Sequence, residues 1–309
     1  MSKPEDTNTR TEPGSDSRAP TGFPGAREDA GTAEQHLPTA EPHRSSHRLA
    51  YADMDFLMRD ELRGVRLQLE FEKPDLVQEE HGISDTVVIF GSTRVPEEGV
   101  AQQRLAEAEQ AAAADPDDES LAYAVTVARS ILDKVHFYEA ARSLARHITE
   151  AGMKDPEGGL TVVTGGGPGI MEAANRGAHE AGGKSIGLNI VLPHEQRPND
   201  YITPELCFQF HYFAIRKLHF LLRARVLVVF PGGFGTLDEL FETLTLIQTR
   251  KARPLTVLLF GEAYWRRIIN FEALAEEGTI HPDDLALFQF CDSADEAWRI
   301  IKAAHAGSG

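Results

Sequence analysis

Asp238 and Glu239 stand at the end of PGGFGTLDE (231–239), directly after the apolar run VLVVF (226–230). A continuous apolar run of this length fits a strand buried on both faces of a parallel sheet. Gly232, Gly233 and Gly235 then lead into a helical stretch predicted to begin at Thr236. Strand, glycine turn and helix N-terminus together present unpaired N–H groups and the positive end of a helix dipole to an anion. Glycine also lets a phosphate approach the backbone with no Cβ in the way. The chemistry this predicts is a phosphate-bearing ligand with a carboxylate held beside it. A plainer reading competes: Thr236-Leu237-Asp238-Glu239 fits a capping box, in which Glu239 bonds back to the cap's own N–H and needs no ligand.

Arg216 and Lys217 open the apolar stretch FAIRKLHFLL (213–222), where a helix dipole disfavours positive charge. Two cations placed there point to a partner, either an anion or Glu239. Three glycine turns, after Phe90, Thr164 and Phe230, follow apolar runs and are expected to gather at one rim. That makes Gly91, Ser92, Gly166 and Gly167 candidate substrate contacts beside Gly232, Gly233, Gly235 and Thr236. GGGPGIMEAAN (165–175) is not the dinucleotide fingerprint, since its glycine spacing differs and no acid follows about 20 residues on. GAHEAGGKS (177–185) ends a helix and starts a strand, the reverse of a P-loop. His194, His211 and His219 have no metal spacing, and neither a metal nor a cofactor is expected.

Positioning these groups is the task of an alternating chain. Runs at 86–92, 160–167, 185–192, 207–211, 226–230, 255–261 and 288–291 read as strands, with amphipathic helices between them. This predicts an α/β fold, a Rossmann-like doubly wound parallel sheet in three layers, with ligands outside the carboxyl ends of the strands. Residues 49–309 are expected to form this single domain. A helix over 51–71 would lead into it, and a solvated helical hairpin would be inserted near 96–135, ahead of a helix over 125–150. Residues 1–48 hold few large apolar side chains and are expected to be a disordered tail.

Composition limits the function classes. With 48 acids against 31 Lys and Arg and a net charge of -17, a nucleic-acid-wrapping protein is excluded as an expectation. The two cysteines, Cys207 and Cys291, cannot build a disulfide framework and read as reduced core thiols. No apolar run reaches the roughly 18 residues of a membrane span, and no secretory signal opens the chain. A cytoplasmic location without membrane partners is the expectation.

GGGPGIMEAAN, then F-x-x-RK at 213–217, then PGGFGTLDEL, in this order and spacing, resemble the LOG family, cytokinin riboside 5′-monophosphate phosphoribohydrolases and their bacterial relatives. Many of these were once labelled lysine decarboxylases. The resemblance covers roughly 86–304. It implies a Rossmann-like fold, a homodimer or larger assembly, and hydrolysis of a nucleoside 5′-monophosphate to free base and ribose 5-phosphate. Carried over, Arg216 and Glu239 match the catalytic pair, and Gly232, Gly233, Gly235 and Thr236 match the phosphate-binding loop. Lys217 would assist the phosphate or the base. The chain departs from the plant-type pattern at Phe213-Ala214-Ile215, which stand where Met-His-x precedes the RK pair, and at Glu172, which stands where shorter members have Gly. The tail and the 96–135 insert are also extra. An AMP-like nucleotide is therefore expected as substrate before a cytokinin. The alternatives are a nucleotide-binding or sensing protein without catalysis, and an amino-acid decarboxylase, which would need pyridoxal phosphate on a lysine such as Lys217 or Lys184.

Overall fold

The structure is a computed structural model that describes residues 25–36, 46–155, 159–193 and 197–306. Contacts divide the chain into two compact units, Met1–Arg66 and Leu67–Gly309. Most of the expected tail lies outside the described residues. Within it Ala26–Gln35 forms a helix, α1, in which no side chain is buried. The single helix expected over 51–71 is instead a series of pieces: 3-10 turns at Ala50–Ala52 and Asp60–Leu62, a short α2 (Met54–Leu57), then the long α3 (Arg63–Glu80). The breaks have local causes. Asp53 caps α2 by accepting from the Phe56 amide, and the Arg66 guanidinium binds the carbonyls of Leu57 and Arg59.

The second unit is built on β1 (Thr86–Phe90), β2 (Thr161–Thr164), β3 (Ser185–Ile190), β4 (Cys207–Phe210), β5 (Ala224–Val229), β6 (Thr256–Phe260) and β7 (Gln289–Cys291). Among the described residues these form one parallel sheet in the order β4-β3-β2-β1-β5-β6-β7. The chain runs outward from β1 to β4, then returns to the other side of β1 as β5. Strand order therefore reverses between β1 and β5, and the crevice at such a switch point is where doubly wound sheets take their ligands.

Alternation along the strands divides the core in two. Val87 and Ile89 of β1 join Val226 and Val228 of β5 beneath α6 (Val135–Gly152), α7 (Ile170–Glu180) and α12 (Ala294–Ala306). Val88, Phe90, Leu227 and Val229 face the opposite layer, α8 (Phe213–Leu222), α9 (Phe234–Gln248), α10 (Glu262–Ile268) and α11 (Phe271–Glu276). Strands buried on both faces explain why they read as unbroken apolar runs.

The insert is a hairpin of α4 (Glu98–Ala114) and α5 (Glu119–Leu132), tied by Arg129 to Glu109 at 2.7 Å. Of the two helices only Ala101 is buried, as expected of a solvated element. The helix expected over 125–150 is two, because α5 ends at Leu132 and α6 starts at Val135.

Candidate functional site

Three strand ends converge. The Ser92 amide donates to the Pro231 carbonyl at 2.9 Å, and the Ile170 amide donates to the Ser92 carbonyl at 3.1 Å. These bonds join the turns after β1 and β5 to the start of α7. Between them opens a cavity of about 570 Å³ at the β1/β5 crevice. Gly91, Ser92, Gly167, Gly233, Gly235 and Thr236 line it, and so do Arg216 and Glu239.

The start of α9 differs from the sequence expectation in a way that decides Glu239. The N-cap is Gly233, not Thr236, and the first intrahelical bond runs from the Leu237 amide to the Gly233 carbonyl at 3.0 Å. Helix therefore begins at Phe234, and no side chain caps it. The amides of Phe234, Gly235 and Thr236 are the ones a helix leaves without an internal partner. Glu239 falls in the second turn, too far along to bond back to the cap, so the capping-box reading does not hold. Glu239 instead lines the cavity, with only 9% of the residue exposed.

Electrostatics then set its charge. Burial pushes the Glu239 carboxyl up to about 7, against the pull of Lys217 and Arg216, and with a smaller push from Glu242 and Asp238. A carboxyl at this value exists in both protonation states near neutrality, as proton-transfer catalysis requires. Burial pulls the Arg216 guanidinium down from its ordinary value, while Glu239 opposes it.

Arg216 is held on three sides. Its Nε donates to the Leu188 carbonyl at 2.7 Å, its guanidinium lies 5.1 Å from the Phe220 ring centre, and its charge faces Glu239. The helix that carries it is itself anchored. Glu70 on α3 accepts from the amides of His211 and Tyr212, at 2.8 and 3.1 Å, and so caps α8 from another element.

Three candidates lie outside the cavity lining. Lys217 points away to Asp238 at 2.8 Å and Glu242 at 3.0 Å, clamping α8 to α9. Burial works against its charge, but these pairs outweigh it and hold its pKa above the usual value. Gly166 has φ +75, and a Cβ there would come 2.2 Å from Asn189 Oδ1, so its task is the turn itself. Gly232 lies against Thr236, whose Oγ1 would be 2.1 Å from an added Cβ. Its glycine permits loop closure onto the helix start.

Several supports escaped sequence reading. Tyr264 on α10 donates its hydroxyl to the Gly232 carbonyl at 2.8 Å and so fixes the loop from behind. Asn175, fully buried, accepts from Thr164 Oγ1 at 2.7 Å and donates to Ser185 Oγ at 3.0 Å. Asn199 donates to Asn175 Oδ1 and to the Gly166 carbonyl, which pins the second glycine turn. Asn175 had a signal, as the last residue of GGGPGIMEAAN; Tyr264 and Asn199 had none. His219 packs between the rings of Phe71 and Phe210 in the core, His211 is exposed, and His194 lies outside the described residues. No cluster of three metal-ligating side chains occurs among the described residues. Among those residues, no helix is long and apolar enough to cross a membrane.

The family described as "Possible lysine decarboxylase" matches residues 171–301, which carry Arg216, the PGGFGT loop and Glu239. A probable cytokinin riboside 5′-monophosphate phosphoribohydrolase of Oryza sativa subsp. japonica is 30% identical over 137 residues, 43% of this chain and 54% of that protein. Over this segment the chain is similar to the LOG family. A cytokinin riboside 5′-monophosphate phosphoribohydrolase of Arabidopsis thaliana is 29% identical over 153 residues, 48% of this chain and 66% of its own length. The chain thus spans between about half and two thirds of the length of these two relatives. A solved structure of the molybdenum cofactor carrier protein of Chlamydomonas reinhardtii is 18% identical, with a TM-score of 0.40 over 72% of this chain and 99% of that one. As for the decarboxylase description, no lysine among the described residues lines the cavity, and Lys184 donates to the His81 carbonyl at an exposed position. These residues do not fit a pyridoxal phosphate Schiff base.

Proposed function

We propose that this chain hydrolyses the N-glycosidic bond of an AMP-like nucleoside 5′-monophosphate, releasing the free base and ribose 5-phosphate. The observation that carries this reading is the placement of bare α9 amides and a carboxyl poised near neutrality in one cavity. The 5′-phosphate docks on the amides of Phe234, Gly235 and Thr236, which positions the ribose over Glu239. As the bond from C1′ to the base nitrogen breaks, positive charge builds on the sugar, and ionised Glu239 stabilises it. The carboxylate takes a proton from the attacking water, whose oxygen bonds to C1′, while the base departs with its electron pair and acquires a proton. Arg216 orients Glu239 and faces the leaving base. General-base assistance contributes about 10²–10⁴ in rate, and anchoring and electrostatics supply the remainder.

The relatives' names support the reaction class, and the position of the cavity at the strand switch point supports a nucleotide. The assembly proposed is a homodimer acting in the cytoplasm. Chromatography of AMP incubated with the protein tests the reading: adenine and ribose 5-phosphate are expected, and Glu239→Gln should abolish turnover while AMP still binds. Binding without products would assign the site to a nucleotide sensor instead. Full activity in Glu239→Gln would remove the carboxylate from the mechanism.

A further inference from the structure

Two further cavities flank the nucleotide cavity and meet each other at Pro168 and Glu172. The larger, about 650 Å³, lies between the first turns of insert helix α4 and those of α7, and Arg94 and Arg104 line it. The smaller, about 350 Å³, is lined by Arg197, Asn199, Asp200 and Tyr201. Each shares wall with the nucleotide cavity, the larger through Thr93 and Arg94, the smaller through Pro198.

The charges on this rim are unequal in availability. Glu97 is already paired with Arg176, and Glu172 accepts the buried Tyr138 hydroxyl at 3.0 Å. Of the lining acids, Asp200 alone remains without such a bond among the described residues. Arg94, Arg104 and Arg197 make no ion pair there either, although the chain carries 48 acids to 31 Lys and Arg. With Glu97 offset by Arg176, three uncommitted guanidinium groups along these two adjoining hollows outnumber the remaining carboxylates, Glu172 and Asp200, and leave a local excess of positive charge suited to an anion. Planar guanidinium forks match phosphate oxygens in particular.

We propose that this arginine rim, completed by the 96–135 insert, binds a second phosphoryl group next to the nucleotide cavity. The shared wall at Thr93 and Arg94 favours a further phosphoryl group of the same nucleotide; a separate phosphorylated effector presents the same chemistry. The insert thereby acquires a role beyond a solvated appendage, since α4 supplies Arg104.

The test uses the full chain and the double variant Arg104→Ala/Arg197→Ala. Neither side chain lines the nucleotide cavity, so any loss reports the rim alone. An unchanged melting temperature shows that the variant is folded. Inorganic pyrophosphate is titrated calorimetrically, and base release is followed from AMP and ADP. The expected result is a fivefold or greater loss of pyrophosphate affinity and a raised KM for ADP, with AMP kinetics unchanged. Loss of pyrophosphate binding with AMP and ADP both unaffected would retain the rim and assign it to a separate effector. Equal pyrophosphate affinity in both proteins, or no binding to the wild type at millimolar concentration, overturns the proposal. Absence of base release from any nucleotide would defeat the hydrolase reading, and the titration would still decide the rim.

Discussion

At the scale of single residues the chemistry turns on the proton of Glu239. Its carboxyl titrates at about 7 in the folded chain, against 4.5 for an unburied glutamate. Between these values the folded state holds a proton that the unfolded chain has released. Stability from this group is therefore complete below about pH 4.5 and is lost as pH rises through 7. Glu239→Gln keeps the shape without the charge. It should match the wild type in denaturant unfolding at about pH 4 and exceed it at about pH 8, by about 3 kcal/mol at most. The same titration appears in catalysis with the opposite consequence. If the ionised carboxylate takes the water proton, kcat should climb with pH and level off above about 7. A rate that is flat from pH 5.5 to 8.5 would show that this proton does not matter, and an equal stability gap at both pH values would show that burial does not set it.

At the scale of elements, helix starts decide where these side chains point. The α8 start is capped by Glu70 from α3, so Glu70→Ala should free two amides and loosen the helix that carries Arg216. The expected cost is about 1 kcal/mol in unfolding experiments, with a larger proportional loss in turnover than in AMP affinity. Unaltered kinetics would mean that α8 is positioned by its packing alone. This bond was invisible in the sequence because its partners lie some 140 residues apart. The strands were legible for the converse reason. Burial on both faces leaves a local record in runs such as VLVVF, and the three glycine turns do converge as their positions implied. The start of α9 was misread by two residues, since Phe234 and Gly235 look like loop but continue the helix from Gly233. That small shift converts Glu239 from a capping residue into a cavity-lining one. The apolar spacing over 51–71 misled differently: Met54, Met58, Val65 and Leu69 recur at helical intervals yet remain exposed.

At the scale of the whole molecule, exposed apolar side chains gather on the two helices that carry the proposed catalytic pair. Phe213, Leu218 and Leu222 of α8 and Phe234 and Phe241 of α9 all reach solvent, Phe234 at 92% exposure, and Lys217 ties the two helices together. Phe213 and Phe234 also line the cavity at the β1/β5 crevice, so a second copy seated on this face would close over the cavity mouth. A net charge of -17 opposes association through self-repulsion, which salt screens. The proposed dimer should therefore tighten as ionic strength rises, as expected of an apolar contact and contrary to one held by ion pairs. Leu218 and Phe241 lie outside the cavity lining, which makes them the clean probes. Replacing both with Asp would place unpaired charges in a desolvated contact, at a cost of several kcal/mol for each buried ion. Sedimentation should show a dimer for the wild type and a monomer for Leu218→Asp/Phe241→Asp at the same micromolar concentration. If the monomer retains full turnover of AMP, the cavity is complete in one chain. A wild type that sediments as a monomer at every salt concentration would leave this apolar face without the partner assigned to it.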